Sequence, residues 1–251
     1  MQAMLKEASV LGSKILDFIL PFRCPVSGEL VDHRGGLSPE IWSALDFIPD
    51  SICQICGVPM PPAYENIEVF EDMKCEHCND NPPAYDMARA RLKYSDTSRK
   101  LILKFKHGDQ LHLVHSLTPF LTQAAIPFLT KCDLVLPVPL HPLRLLKRKY
   151  NQAAILAHAF AAQHKIAYAP DMLVRTKHTK PQTGNKINRK SNVKNAFSVN
   201  PNNKITLNGL NVILIDDVFT TGSTANACAK VLKEAGAHKI FVLSVTRVHH
   251  E

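Results

Sequence analysis

Residues 211–248, NVILIDDVFTTGSTANACAKVLKEAGAHKIFVLSVTRV, run as an apolar strand, a polar turn, a helical stretch and a second apolar strand. Strands that alternate with helices predict a parallel sheet covered on both faces. In such sheets ligands sit beyond the carboxyl ends of the strands. The first strand ends there in Asp216 and Asp217. Adjacent carboxylates at that place are costly unless they bind something, and the vicinal hydroxyls of a ribose suit them. Next come Thr220, Thr221, Gly222, Ser223 and Thr224, opening into a helix. Gly222 permits a tight, open backbone, the hydroxyls donate, and the helix start offers free N–H groups. Together these residues predict a phosphate cradle.

The rest of 87–251 continues this texture. RLKYSDTSRKLILKFKHGD reads as a strand, then a helix from near Asp96 or Ser98, and LVHSLTPFLTQAAIPFL continues as helix. CDLVLPVPL is a short strand closed by Pro137 and Pro139, which cannot donate to a ladder. NQAAILAHAFAAQHK is a helix whose apolar face is expected at Ala154, Ile155, Ala159 and Phe160. The polar, basic run LVRTKHTKPQTGNKINRKSNVKNAF is too long for a tight turn and predicts a mobile functional loop.

The first part of the chain is different. Cys53-x2-Cys56 and Cys75-x2-Cys78 are separated by 18 residues, a spacing suited to a four-thiolate zinc ribbon, with Gly57 supplying the knuckle turn. A site closed by four sulfurs is structural rather than catalytic. The expectation is one zinc per chain. Cys132 and Cys228 lie in apolar runs and read as core residues. Residues 21–86 are rich in Pro, Cys and turn formers, so metal, more than a core, should hold them together. The expected division is a helix and zinc-ribbon module over 1–86 and an α/β domain over 87–251. At the very start, Met4, Leu11, Ile15 and Phe18 recur at helical spacing, while Lys6, Glu7, Lys14 and Asp17 argue against a signal peptide.

Charge follows the same division. Residues 1–86 hold 5 Lys and Arg against 14 Asp and Glu, and residues 87–251 hold 25 against 8, giving the net charge of +8. The basic part should attract phosphate-bearing ligands. Seven cysteines without a secretion signal favour metal ligation in a reducing compartment, so a cytoplasmic location is expected. No stretch is apolar enough to predict membrane insertion.

The run ILIDDVFTTGST resembles the phosphoribosyl-pyrophosphate (PRPP) signature of type I phosphoribosyltransferases. The resemblance implies that fold, with Asp216 and Asp217 on the ribose hydroxyls as the catalytic pair and Thr220 to Thr224 on the 5′-phosphate. It implies a pyrophosphate loop near Val135 to His141, with Arg144 and the basic run Lys147 to Lys149 suited to the diphosphate and magnesium sharing the charge. A four-cysteine module ahead of such a domain is similar to the ComF family of competence proteins, which includes ComFC- and GntX-like members. Arg148 to Ala153 and the segments Lys180 to Gly184, Arg189 and Asn192 to Phe197 fit that family's pattern. Here, however, Cys24 faces Ser27 rather than a second cysteine, and Ser38 and Ile41 stand where a C-x2-C pair would fall. Packing by Trp42, Leu45 and Phe47 should replace a metal in that lobe.

Two functions follow from the resemblance. One is a PRPP-binding accessory factor that handles single-stranded DNA, with DNA-uptake proteins as partners. The other is an active phosphoribosyltransferase with an unidentified nitrogen acceptor, whose binding hood the sequence does not supply. From Arg175 to Lys194 there are seven basic residues and no acidic one. Lys186, Arg189 and Lys190 therefore read as a nucleic-acid surface or as a lid over PRPP, and Tyr150 as a platform for a stacked base.

Overall fold

The computed structural model describes residues 21–61, 73–107, 110–140, 145, 150–176 and 196–248. The N-terminal helical pattern, Arg144, Lys147 to Lys149 and the loop residues Lys186, Arg189 and Lys190 lie outside the described residues. The described helices are α1 (Pro39–Ser43), α2 (Glu76–Asp80), α3 (Asp96–His107), α4 (Val114–Ala125), α5 (Gln152–His164) and α6 (Ser223–Glu234). The strands are β1 (Met87–Lys93), β2 (Leu134–Pro137), β3 (Ala167–Tyr168), β4 (Leu173–Arg175), β5 (Phe197–Val199), β6 (Asn211–Phe219) and β7 (Lys239–Arg247).

Five strands form a wholly parallel sheet in the order β1-β7-β6-β2-β3. The alternation along β6 shows how it is buried. Ile213 and Ile215 face a core with Phe105, Leu121, Leu156 and Phe160 from α3, α4 and α5. Val212 and Leu214 face a second core with Cys228, Ala229 and Leu232 of α6. A strand apolar on both sides is what a sheet covered by helices on both faces requires. Cys228 is fully buried and Cys132 packs partly against the first core, as their apolar contexts predict.

One helix face differs from expectation. On α5 the buried side chains include Ala153, Leu156, Ala157, Phe160 and Ala161, while Ala154, Ile155 and Ala159 are only partly covered. The sequence of α5 is apolar around most of its circumference, so periodicity gave too little contrast to orient it. Strands β4 and β5 pair antiparallel, and the Thr176 amide donates to Ala196, so the basic loop leaves and returns at one place.

The cysteine-bearing segment is stitched along β1, the outer strand. Amides of Ile48 and Lys93 exchange bonds with Arg91 and Asp46, and the Ala88 amide donates to Ile55. Gly57 lies so close to this strand that a Cβ there would stand 2.5 Å from the Ala88 carbonyl oxygen. Gly57 and Gly209 both have positive φ, but beyond its chain neighbours no atom of the described residues lies within 4 Å of a Cβ at Gly209. Gly57→Ala should therefore lose about 1–3 kcal/mol more than Gly209→Ala. Denaturant unfolding of the two zinc-loaded variants checks this, and equal losses would refute the tight docking.

Candidate functional site

The carboxyl end of β6 carries the acidic pair onto the edge of the sheet. Asp217 Oδ2 lies 2.9 Å from Lys106 Nζ, and the Asp217 amide donates to Asp216 Oδ1 at 2.9 Å. Burial, with the neighbouring Asp217 charge, pushes the Asp216 carboxyl up to about 7, against the opposing pull of Lys106. Lys106 was not singled out by the sequence. It is one of two lysines in LKFKHGD, and only the fold shows which of them faces the carboxylates.

The position of Lys106 is set by its backbone. Gln152 Nε2 donates to the Lys106 carbonyl at 3.3 Å and Tyr150 Oη to the Phe105 carbonyl at 3.3 Å. Between them, Asn151 caps α5 by accepting from the Ala153 amide, and its Nδ2 donates to the Val138 carbonyl. The Tyr-Asn-Gln stretch thus joins the end of α3 to the end of β2. The Tyr150 hydroxyl is engaged in that joint, which is a structural task alongside the stacking role expected for it.

Beyond Asp217, the chain turns at Gly222, whose φ of 73° is left-handed. A Cβ there would meet the Phe219 ring at 2.8 Å and Tyr85 Oη at 3.2 Å, so the turn needs glycine for shape and for space. Thr221 Oγ1 and Ser223 Oγ are 2.8 Å apart, and the Ser223 amide donates to Thr221 Oγ1. Thr220 and Thr221 are exposed, Ser223 and Thr224 partly so. The turn opens α6, whose first amides have no acceptor in a preceding helical turn. Hydroxyls and helix start point to an anion with several oxygens. A cleft of about 930 Å³ borders this turn, lined among others by Asn81, Tyr85, Phe197, Thr221, Asn226 and Lys230. The acidic pair is not in its lining.

The second centre is the cysteine quartet. The sulfurs of Cys53, Cys56, Cys75 and Cys78 all lie within 4.8 Å of one another. Cys56 and Cys75 Sγ are 3.7 Å apart, close to the ~3.8 Å edge of a tetrahedron with 2.3 Å zinc–sulfur bonds. The Cys75 amide donates to Cys53 Sγ, and a hydrogen bond from Cys56 lowers the Cys53 thiol well below its usual value. This donor set fits zinc. Arg89 donates to the Gln54 carbonyl and Oε1. Burial brings this arginine down to about 10, so it stays charged near neutrality. Arg247 donates to the Cys56 carbonyl and approaches Cys56 Sγ at 3.6 Å. Neither arginine was flagged by the sequence, where each is one basic residue in a strand pattern.

The lobe before it repeats the knuckle without the metal set. Cys24 N bonds Glu29 O and Gly28 N bonds Cys24 O, matching Cys53 N to Val58 O and Gly57 N to Cys53 O. Where the second knuckle has Cys56, the first has Ser27, whose hydroxyl lies 3.0 Å from that of the buried Ser38. Burial works against ionisation of Cys24, but bonds from Ser27 and from the Ser27, Ser38 and Val26 amides bring it down to about 7. Trp42 rings lie 5.5 Å from Phe47 and 5.8 Å from Phe120, and Leu45 is buried, so aromatic packing does join this lobe to α4.

The double zinc ribbon domain family matches residues 15–80. Competence protein F of Haemophilus influenzae is 32% identical over 233 residues, covering 90% of this chain and 97% of that protein. DNA utilization protein YhgH of Salmonella typhimurium is 27% identical over 203 residues, covering 78% and 84%. Among solved structures, an adenine phosphoribosyltransferase overlays with a TM-score of 0.37 at 16% identity, over 54% of this chain and 69% of that one.

Two outcomes follow. Metal analysis should find one zinc per chain, falling to none in Cys75→Ser; two ions would mean that the Cys24 lobe also binds metal. Since Asp216 is raised from 3.8 to about 7, its contribution is fully present below about pH 4 and lost as pH rises through 7. The ligand-free protein should therefore melt lower at pH 8 than at pH 5, and Asp216→Asn should flatten that fall. Parallel melting curves for the two proteins would refute the assignment.

Proposed function

As the chain belongs to the ComF family of competence proteins, we propose that it binds PRPP with magnesium and acts in the handling of single-stranded DNA during DNA uptake. The observation that carries this is the acidic pair at the end of a central parallel strand, running directly into a hydroxyl-rich turn at a helix start. Carboxylates can accept from both hydroxyls of a ribose, and the turn Thr220 to Thr224 offers donors to its 5′-phosphate. Magnesium bound with the diphosphate would share its charge, together with Arg144. On this reading residues 87–251 are the ligand-binding unit and residues 1–86 a zinc-held platform, working in the cytoplasm.

The names of the relatives, competence and DNA utilization, support the nucleic-acid side. Lys186, Arg189 and Lys190 supply the charge for it, and contacts to phosphates release counterions, which makes binding salt-dependent. Transfer of ribose 5-phosphate to a nitrogen acceptor is the second reading. The cleft beside Thr221 favours it by giving an acceptor room.

Calorimetry with PRPP and magnesium should show binding by the parent and none by Asp216→Asn/Asp217→Asn, because amides bind the diol and metal poorly. Undiminished affinity in that variant would remove the site assignment. Lys186→Ser/Arg189→Ser/Lys190→Ser should weaken single-stranded DNA binding, with PRPP affinity retained, at each of two salt concentrations. Loss of PRPP binding alone would make these residues a lid. Pyrophosphate release in the presence of a base or amine would decide for the transferase.

A further inference from the structure

Four thiolates around Zn²⁺ carry a formal charge of −2, and a buried centre of that charge needs nearby cations. The sheet provides two. Arg89 from β1 and Arg247 from β7 are 7% and 9% exposed, and both bond the backbone of the Cys53–Cys56 knuckle. The two differ in what else they touch. Among the described residues the hydrogen bonds of Arg89 go to knuckle and strand groups: the Gln54 carbonyl and side chain and the Ala88 carbonyl. The Arg247 guanidinium also lies 4.7 Å from the centroid of the Phe219 ring.

Phe219 is the last residue of β6 and the first support of the turn. Its ring stands edge-on to Tyr85, with centroids 6.1 Å apart. Both rings press on Gly222, and the Phe219 carbonyl accepts from the Val248 amide. The knuckle backbone, Arg247, Phe219 and Gly222 therefore form an unbroken line of contacts from a zinc ligand to the turn Thr220 to Thr224. A further bond ties the cysteine-bearing side to α6: the Ala84 amide donates to Asn226 Oδ1.

We propose that Arg247 is a positioning residue that couples the zinc centre to the phosphate-cradling turn, so that zinc and the phosphoribosyl ligand each stabilise the binding of the other. This rests on the PRPP reading given above. Removal of zinc loosens the knuckle backbone that holds the guanidinium, and the Phe219 ring loses the cation held on its face. The turn then loses the wall that sets its shape. Coupling between two binding sites is reciprocal, so PRPP must in turn hold the metal. Arg89, whose hydrogen bonds stay with the knuckle and β1, serves the metal alone.

The test measures zinc release to a chelator, with and without PRPP and magnesium, and PRPP affinity by calorimetry, in the parent, Arg247→Gln and Arg89→Gln. In the parent, PRPP should slow zinc release by about five-fold or more, the lower range of allosteric couplings. Arg247→Gln should release zinc faster, bind PRPP several-fold more weakly and show no slowing by PRPP. Arg89→Gln should release zinc faster but bind PRPP as the parent does. Parental zinc release in Arg247→Gln, or PRPP loss as large in Arg89→Gln, overturns the proposal. If circular dichroism shows Arg247→Gln unfolded, the parent decides: PRPP binding that leaves zinc release unchanged overturns the coupling. If the parent binds no PRPP, the ligand assignment fails instead, and the ligand-free release rates still judge the contact between Arg247 and the zinc centre.

Discussion

An open parallel sheet has raw edges, and the edge at β1 governs much of this molecule. Strand β1 pairs with β7 on one side only, so its outer amides and carbonyls need partners that the sheet cannot supply. The cysteine-bearing segment supplies them through Asp46, Ile48 and Ile55, with an isolated bridge from Phe47 to Leu92. A segment with too few apolar residues to form its own core thus gains a surface to lie on, while the sheet gains a covered edge. The metal fixes the knuckle's shape so that it can do so. Zinc-binding energy is folding energy for such small modules, and here it also serves the edge of a larger sheet.

That arrangement explains why two arginines are buried at all. A guanidinium under a tenth exposed is costly unless it is paired and hydrogen-bonded. Arg89 and Arg247 sit in strands of the sheet, and their side-chain partners belong to a different part of the chain. The negative charge of a tetrathiolate is what makes those positions tolerable. The first knuckle lacks that charge, having Ser27 and Ser38 in place of further thiols, and the cations that face it differ accordingly. Lys104 reaches the Pro25 carbonyl at 2.6 Å, and Arg23 bonds Gly28, but neither is deeply buried. The two lobes share a backbone turn and differ in electrostatics.

Much of this was legible in the sequence because the relevant signals are local. The apolar run ending in Asp216 and Asp217, and the turn with Gly222, each lie within a few residues, so strand, turn and helix could be read in order. Cysteine pairs announce themselves in the same way, and the parallel sheet followed from alternation of strands and helices. What was not legible depends on side chains meeting across the chain. Lys106 and Asp217 are far apart in sequence, and nothing in LKFKHGD marks its second lysine. Arg247 meets Cys56 from the opposite end of the chain. The face of α5 was misjudged for a local reason, since alanine on several sides erases the contrast that periodicity reads. The repeated knuckle turn at Cys24 was half visible: the missing cysteines could be seen, but not that the backbone keeps its hydrogen bonds without them.

The acidic pair shows how two carboxylates that repel can be kept within one fold. Two adjacent carboxylates at the end of a buried strand repel, and one lysine can neutralise only one of them. Lys106 is held to that task by the bonds that fix the carbonyls of Phe105 and Lys106. It pairs with Asp217 and leaves Asp216 to bear the cost, which appears as a carboxyl raised to about 7. A ligand that brings hydroxyl donors to Asp216 relieves that cost, whereas one that brings only negative charge increases it. On the proposed reading this end of the site favours a neutral diol over a phosphate, while the hydroxyls and helix start a few residues later favour the reverse. The proposed ligand carries both groups, a diol and a phosphate, on one small ring. The preference is built into the order of residues along a single strand and the turn that follows it.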